Sequence, residues 1–301
     1  MIIFITWILD LWLGEPPVRL HPVIWIGNYL RWVRKRLPPT FWAGALAWLG
    51  GAIVVFGIAL FITQILNFKF FILNLLTSAL LLKTLIAWRA LREAANEVLN
   101  APDLPEMRKM LSWHLVSRNT SELSEAEVCG ATIESVAENL SDSLIAPLFW
   151  FVIGQILGGD NLPLGLAFAA LYRYTNTADA MWGYRTPELE YFGKWTARLD
   201  DVLNLIPSRL TALLICVCSG NARSWQIWWR DGLSTPSPNA GQPMSAAAGA
   251  LNVRLTKRNL YDLGRELPDP TKLDGTRAIT LCARAAWIGV IGYAAINFFA
   301  Q

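Results

Sequence analysis

The sequence predicts an all-α polytopic integral membrane protein built of transmembrane and re-entrant helices. Three observations carry that expectation. Charged residues make up 16% of the 301 residues, against about 25% in an average soluble protein. Hydrophobic residues reach 54% with a mean hydropathy of +0.35, which excludes a disordered chain and argues against an ordinary soluble enzyme. Fifteen tryptophans suit a chain that meets the water–lipid boundary, where the amphipathic indole is favoured. The formal charge, 26 Lys and Arg against 23 Asp and Glu, is only +3, so nothing points to a nucleic acid partner.

A single membrane-embedded domain over residues 1–301 accounts for the pattern. Residues 2–13 are apolar and lack both a basic start and a small-residue cleavage site, so they read as a retained membrane segment rather than a signal peptide. Residues 41–66 are uncharged throughout and as a helix would extend roughly 39 Å, enough to cross a bilayer core of about 30 Å. After a break at 67–69, residues 70–88 form a second span whose one charge, Lys83, is expected to reach for the interface. The shorter arms 143–157 and 162–174 flank the turn sequence 158–161 and read as a thin hairpin or re-entrant loop. Residues 202–218 carry Pro207 and Arg209, and residues 285–299 form the last apolar segment, with Gly289 and Gly292 permitting close helix contact. Cys129, Cys216, Cys218 and Cys282 show no metal-binding spacing and read as small buried hydrophobes.

Basic residues set the expected sidedness. The polar regions 14–40, 89–142, 175–201 and 219–284 hold nearly all the Lys and Arg, whereas the turns at 67–69 and 158–161 hold one Lys between them. The four regions are therefore expected in the cytoplasm and the two turns outside. A full crossing by 202–218 would strand the most basic region outside, so that segment is expected to be re-entrant, interfacial, or half of a hairpin with residues 225–229. The polar regions are too long for simple connectors, and a site on the cytoplasmic face formed by these helical loops is expected.

Four constellations there could carry chemistry. Glu134, Glu138 and Asp142 are spaced four apart and would form one acidic stripe on a helix running down to apolar Leu144. Carboxylates that near to lipid need compensation, by Mg²⁺ or by Arg; a solvated acidic face is the plainer alternative. Arg173, Asn176 and Asp179 sit three apart and could share a helix face, or be an ordinary Arg–Asp pairing. Arg198 and Asp201 are at i,i+3, with Asp200 pointing elsewhere; the adjacent acids could hold a hydrated Mg²⁺, or simply favour a helix start. The loop with Ser237, Asn239 and Gly241 opens into a small-residue helix with Pro243 near its first position, either an anion site or a plain capped turn. His21 and His114 show no nucleophile beside them, and no phosphate-loop or dinucleotide glycine motif is present.

Taken in order, the motifs Asp10-Leu-Trp-Leu-Gly-Glu-Pro-Pro17 with His21, Gly130 to Asp142 with Pro147, Asn176-Thr-Ala-Asp179 with Gly183 and Arg185, Ala197-Arg-Leu-Asp-Asp-Val-Leu-Asn204, and Ser237-Pro-Asn-Ala-Gly241 resemble the adenosylcobinamide-phosphate synthase family of cobalamin biosynthesis over nearly the whole chain. Gln242 stands where many members carry Trp, and Trp182 where a small or aliphatic residue is usual.

The resemblance implies an inner-membrane enzyme that joins the propionate carboxylate of adenosylcobyric acid to the amine of 1-amino-2-propanol or its O-phosphate, driven by ATP and Mg²⁺ as an acid–amine ligase. A cytoplasm-facing site and association with other membrane enzymes of cobalamin assembly are implied with it. On that reading Glu134, Glu138 and Asp142 serve metal or amine, with Glu134 or Glu138 accepting the amine proton, and Asp200 acts both there and as a ligand. Asp179, Asp200 and Asp201 coordinate Mg²⁺. Arg173, Arg185 and Arg198 clamp phosphate alongside Asn176, and Ser237, Asn239 and Gly241 cradle it. The residues alone also admit a Mg²⁺-dependent membrane phosphotransferase, or a non-catalytic corrinoid transporter or scaffold.

Overall fold

The computed structural model describes residues 1–65, 70–159 and 162–299. The break expected at 67–69 and the second half of the turn expected at 158–161 lie outside these residues. The chain is an all-α polytopic membrane protein whose described β-structure is one hairpin. Among the described residues, five stretches are long and apolar enough to cross a bilayer: Phe41–Ile65, Ile72–Leu99, Glu125–Leu157, Lys194–Ser219 and Lys272–Phe299. The helix of the second is interrupted at 84–87.

Two compact units emerge. The first comprises Met1–Ala87, Ala146–Asn204 and Val290–Gln301. In it, α1 (Ile2–Leu13) buries Ile3, Thr6, Trp7 and Asp10, a 3–4 spacing that makes one helix face. That face meets α4 (Phe71–Lys83), where Ser78, Ala79, Leu82 and Lys83 are buried; the Thr6 hydroxyl donates to the Ala79 carbonyl at 3.2 Å. Helix α2 (Pro22–Arg34) leaves Trp25 and Trp32 exposed. Helix α3 (Phe41–Ile65) is apolar all round and buries only Gly44, Ala47, Trp48, Gly51, Ala52 and Thr63. The first five form a stripe of mostly small residues, which lets helix backbones approach where lipid supplies no hydrophobic drive. The stripe packs on α9 (Leu162–Trp182). There the Tyr174 hydroxyl donates to the Trp48 carbonyl at 3.2 Å, and Trp48 Nε1 donates to Thr175 at 3.3 Å. Helix α8 (Ala146–Leu157) covers another face of α9.

The second unit comprises Trp88–Ile145 and Leu205–Gly289. Helices α5 (Trp88–Leu99) and α6 (Leu104–His114) pack on α7 (Glu125–Leu140). The last begins in a reciprocal cap, Ser124 accepting from the Glu127 N–H while Glu127 accepts from the Ser124 N–H, which satisfies two otherwise orphaned donors. Helix α11 (Ala222–Asp231) packs on α12 (Gly241–Leu251). The antiparallel pair β1 (Leu255–Lys257) and β2 (Tyr261–Leu263) lies against α7 and α12. Helices α10 (Lys194–Ser219) and α13 (Lys272–Phe299) each contribute residues to both units.

Helices run well past the apolar segments that announced them: α9 continues to Trp182, α10 begins at Lys194 and α13 at Lys272. Polar residues at helix ends cost little where they reach water or a partner. Within 194–219 no turn occurs, so a re-entrant bend inside 202–218, one of the three arrangements expected, is absent. Pro207 cannot donate to the Leu203 carbonyl, a loss that ordinarily kinks a helix; Trp150 Nε1 fills that acceptor at 3.2 Å. The chain turns only at Gly220, with φ of +60°. Between α7 and α8, residues Ser141–Ile145 form a π-helical turn. Pro147 lacks an N–H and its ring crowds the carbonyl four residues back, and a widened turn relieves both. All four cysteines are free, and Cys129, Cys216 and Cys282 are buried. Not every indole faces outward: Trp7, Trp48, Trp88 and Trp182 are buried in the protein.

A Cβ on Gly44 would collide with the Phe192 backbone, whereas one on Gly50 meets nothing within 4 Å. Gly44→Ala is expected to destabilise the protein by about 1–3 kcal/mol, the usual cost of overpacking, while Gly50→Ala leaves it unchanged or slightly more stable. Thermal unfolding of the two variants in detergent checks this, and equal melting curves would overturn the packing assignment.

Candidate functional site

Each unit holds its own polar group. In the first, α9 and α10 bring together a connected set around Asp200. Asn176 Nδ2 approaches one Asp200 oxygen at 3.4 Å, and Asn204 Nδ2 donates to the other at 3.0 Å. Arg173 donates to the Asn176 oxygen at 3.3 Å, and the Tyr172 hydroxyl to the Asn204 oxygen at 2.9 Å. The spacing makes this possible: Asn204 lies one helical turn after Asp200, and Asn176 one turn after Arg173. Thus Arg173, Asn176 and Asp200 come together, and Asp200, expected to point away, is the acid that faces α9. Asp179 and Asp201 are half-buried nearby in sequence. Gly183 leaves no room for a side chain against the Asp179 carboxylate. Arg185 and Arg198 are exposed. Asn204 stood in a quoted motif without a role, and Tyr172, next to Arg173, was not singled out; the i,i+4 spacing of Asp200 and Asn204 was the available signal.

A second group in this unit escaped the sequence reading. Lys83 does not reach out to the interface but is 3% exposed. Its ammonium lies 3.2 Å from Asp10 and 3.1 Å from Glu15. Glu15 in turn is 2.9 Å from His21 Nε2. Burial works against a charged Glu15, but the His21 hydrogen bond and the Lys83 charge outweigh it and hold its pKa below the ordinary carboxylate value. The pairing joins residues 68 or more positions apart, which no local spacing reveals.

In the second unit, Glu134 on α7 is only 5% exposed. One carboxylate oxygen lies 3.9 Å from Arg118 Nη2 and the other has no hydrogen-bond partner. The Tyr261 hydroxyl hydrogen-bonds to this carboxylate. Burial, then the charges of Glu134 and Glu138, push the Tyr261 phenol up, so it remains a donor. Glu138 is half-buried, and Asp142 is half-buried within the π-turn. That turn breaks the plain α-helical register assumed for a stripe of three. Among the described residues no group of three or more His, Cys, Asp and Glu side chains is gathered as a metal site.

The loop before α12 is closed by its own hydrogen bonds. Asn239 N–H donates to the Ser237 hydroxyl at 3.2 Å and Gly241 N–H to the Thr235 hydroxyl at 3.0 Å. An incoming phosphate would have to displace them. Helix α12 starts at Gly241, so Pro243 is its third residue rather than its first. Gln242 ties the loop to Gly232 and Pro238 through its amide, at 2.8 and 3.2 Å. Arg209 and Ser208 on α10 each donate to the Asn239 oxygen at 3.3 Å.

Fold and sites together define a polytopic helical membrane protein whose carboxylates and amides sit on helices and on the loops that flank them. Residues 3–286 match the family model described as CobD/Cbib protein, and the chain belongs to that family. It is 39% identical to the "Probable cobalamin biosynthesis protein CobD" of Methanothermobacter thermautotrophicus, covering 96% of this chain and 98% of that protein. It is 38% identical to the cobalamin biosynthesis protein CobD of Desulfotalea psychrophila, over 92% and 88% of the two chains. The like-named protein of Dehalococcoides mccartyi is 35% identical over 100% and 98%. No solved structure matches the chain.

Because the folded pKa of Glu15 is depressed, its contribution to stability is present above the unfolded value, about 4.3, and is lost as pH falls through the folded value. Melting temperatures in detergent should therefore fall more steeply below about pH 5 for the wild type than for Glu15→Gln. Parallel acid limbs in the two proteins would remove Glu15 from the account.

Proposed function

We propose that this protein is an ATP-dependent amide-forming enzyme of corrinoid assembly, joining the propionate carboxylate of adenosylcobyric acid to 1-amino-2-propanol or its O-phosphate. The observation that carries this reading is membership of a family of cobalamin biosynthesis proteins across residues 3–286. The geometry adds groups suited to the chemistry. A carboxylate is a poor acyl donor, so the γ-phosphoryl of ATP is transferred to the propionate oxygen, giving an acyl phosphate and ADP. The amine nitrogen then attacks the acyl carbon, the C–O bond to phosphate breaks, inorganic phosphate leaves and the nitrogen loses a proton.

Charge on the transferred phosphoryl group has to be met by cations or donors. Arg173, already directed to Asn176, and exposed Arg185 and Arg198 serve that end. Ser237, Asn239 and Gly241 contribute only if the phosphate replaces the loop's internal bonds. Mg²⁺ is commonly held by one or two carboxylates together with substrate phosphates. Asp200, whose oxygens are oriented by two amides, is one such carboxylate; Asp179 and Asp201 are not gathered with it as a three-carboxylate site among the described residues, so an ion there would rest on Asp200 and substrate phosphates and would neutralise nucleotide charge. Glu134, with an oxygen lacking any donor, suits acceptance of the amine proton, and Glu138 and Asp142 lie on the same stretch of chain.

Purified protein given adenosylcobyric acid, aminopropanol phosphate, ATP and Mg²⁺ should yield a corrinoid whose mass reports the new amide. Asp200→Ala and Glu134→Ala should each lower turnover by about 100-fold or more, the scale of a lost acid–base or charge-stabilising group. Near-normal turnover in either variant would remove that residue, and absence of amide in the wild type would remove the reading.

The basic polar regions argue for a site facing the cytoplasm from the inner membrane. Ser234 is exposed beside the 235–241 loop. In a cysteine-free background, Ser234→Cys should react with a membrane-impermeant maleimide only after permeabilisation. Labelling on intact cells would reverse the orientation.

A further inference from the structure

Helix α2 runs beside α3 in the first unit. The Tyr29 hydroxyl approaches the Ala47 carbonyl at 3.4 Å, and the two helices wall a groove of about 310 Å³. Trp25 and Tyr29 line it from α2, Val54 and Ile58 from α3, and Ala170 of α9 and Leu85 beyond the end of α4 complete it. Trp25, Val54 and Ile58 are each more than half exposed, so the groove opens sideways from a helix long and apolar enough to cross a bilayer. In that setting it faces hydrocarbon rather than water.

One end of the groove leads to charge. Trp25, Tyr29, Trp32 and Arg36 are spaced four, three and four, which makes one outward face; Leu30 and Val33 are buried on the other side. Tyr29 stacks on Trp32 with ring centres 6.5 Å apart, and the Arg36 guanidinium lies 4.4 Å over the Trp32 ring. Arg31, Lys35 and Arg36 are exposed, and none makes an ion pair among the described residues. Arg34, by contrast, is taken up by the Glu188 carbonyl at 3.0 Å and by the Phe192 ring.

Three cations without an anion, at the head of an apolar groove that opens into lipid, call for an amphiphile with a negative head. We propose that α2 and α3 hold one anionic diacyl phospholipid, its phosphate against Arg31, Lys35 and Arg36 and one acyl chain laid past Trp32 and Tyr29 into the groove. The lengths agree. Helix α2 has 13 residues and so extends about 20 Å, half of the roughly 40–45 Å that a bilayer spans with its headgroups. A lipid of one leaflet therefore reaches from the cations to the deep end of the groove at Pro22. Basic residues beside a span attract anionic lipid, and indoles favour the headgroup level. A zwitterionic lipid offers the same chains but brings a cation of its own to the three already there. A soluble phosphate ester offers the anion and leaves the groove unfilled. The assignment stands apart from the amide-forming reading.

Native mass spectrometry of the full-length protein released from mixed micelles tests it, with dioleoylphosphatidylglycerol, dioleoylphosphatidylcholine and glycerol 3-phosphate as the probes. The wild type should retain one phosphatidylglycerol, with an apparent affinity at least about tenfold above that for phosphatidylcholine. Lys35→Gln combined with Arg36→Gln should bring the two lipids within about threefold of each other. Arg265→Gln, which removes an exposed cation of the second unit, should leave the preference intact. Ile58→Trp, which fills the groove from its open side, should lower retention of both lipids, and glycerol 3-phosphate should not compete with either. The charge variants alter only exposed side chains and keep the test readable if Ile58→Trp fails to fold. Equal retention of the two lipids by the wild type, a preference that survives loss of Lys35 and Arg36, retention by folded Ile58→Trp equal to that of the wild type, or displacement by glycerol 3-phosphate would each overturn the proposal.

Discussion

Charge withdrawn from water has to be met by opposite charge or by hydrogen-bond donors, and in a chain so poor in charge each such meeting fixes a piece of architecture. Lys83 ends α4, Asp10 lies in α1, and their contact at 3.2 Å pins two helices whose buried residues include Ile3, Thr6, Trp7, Ser78, Ala79 and Leu82. Glu15 and His21 extend the same network into the segment that leads to α2. The second unit repeats the device. Asp231 accepts from Arg230 Nε and Nη2 at 2.7 Å and from the Gly264 N–H at 2.8 Å, tying the end of α11 to the residue after β2. Arg258 and Glu127 tie the tip of the β-hairpin to the start of α7. Apolar contact alone would leave these elements weakly registered, because lipid competes for apolar surface as well as a neighbouring helix does.

Where charge does not set the register, small residues and aromatic donors do. The α3 stripe brings Tyr174 close enough to donate to the Trp48 carbonyl, and the Trp48 indole close enough to donate to the Thr175 hydroxyl. Trp150 answers the carbonyl that Pro207 leaves without a donor, and α10 continues unbroken through a residue that would otherwise end it. These indoles act as long-reach donors inside the fold, a use of tryptophan distinct from anchoring at a lipid boundary.

The sequence disclosed what depends on composition and short spacing. Residues 41–66 announced α3 because nothing charged interrupts them, and the α9–α10 group was half-legible because Arg173 and Asn176 fall on a helical spacing, whereas Asp200 was expected to point elsewhere. What stayed hidden depends on partners distant in the chain. Lys83 reads as a terminal lysine free to reach water until Asp10 and Glu15 are seen beside it. Arg118 carried no motif, and Tyr261 gained meaning only when the β-hairpin was laid against α7. The acidic spacing of four persisted through Glu138 but not to Asp142, since Pro147 imposes the π-turn from a position that a count of acidic residues ignores. Helix ends were also underestimated, because hydropathy falls where Arg198 and Asp200 enter α10 while the backbone hydrogen bonds continue.

The contrast between Asp200 and Glu134 sorts their duties on physical grounds. Asp200 has an amide on each oxygen, and those amides are themselves oriented by Arg173 and Tyr172. Such a carboxylate is fixed in place before any ligand arrives, which suits a group that must present lone pairs in one direction. Glu134 is the reverse: enclosed, supported by Tyr261 on one side, and short of a donor on the other. Catalysis draws on interactions stronger in the transition state than in the resting protein, and a carboxylate already fully satisfied gains little when positive charge develops nearby. The oxygen without a donor gains most. On the proposed amide-forming reading, Glu134 is therefore the acid whose environment would reward the approach of an ammonium and the transfer of its proton, while Asp200 would contribute by remaining where its neighbours hold it.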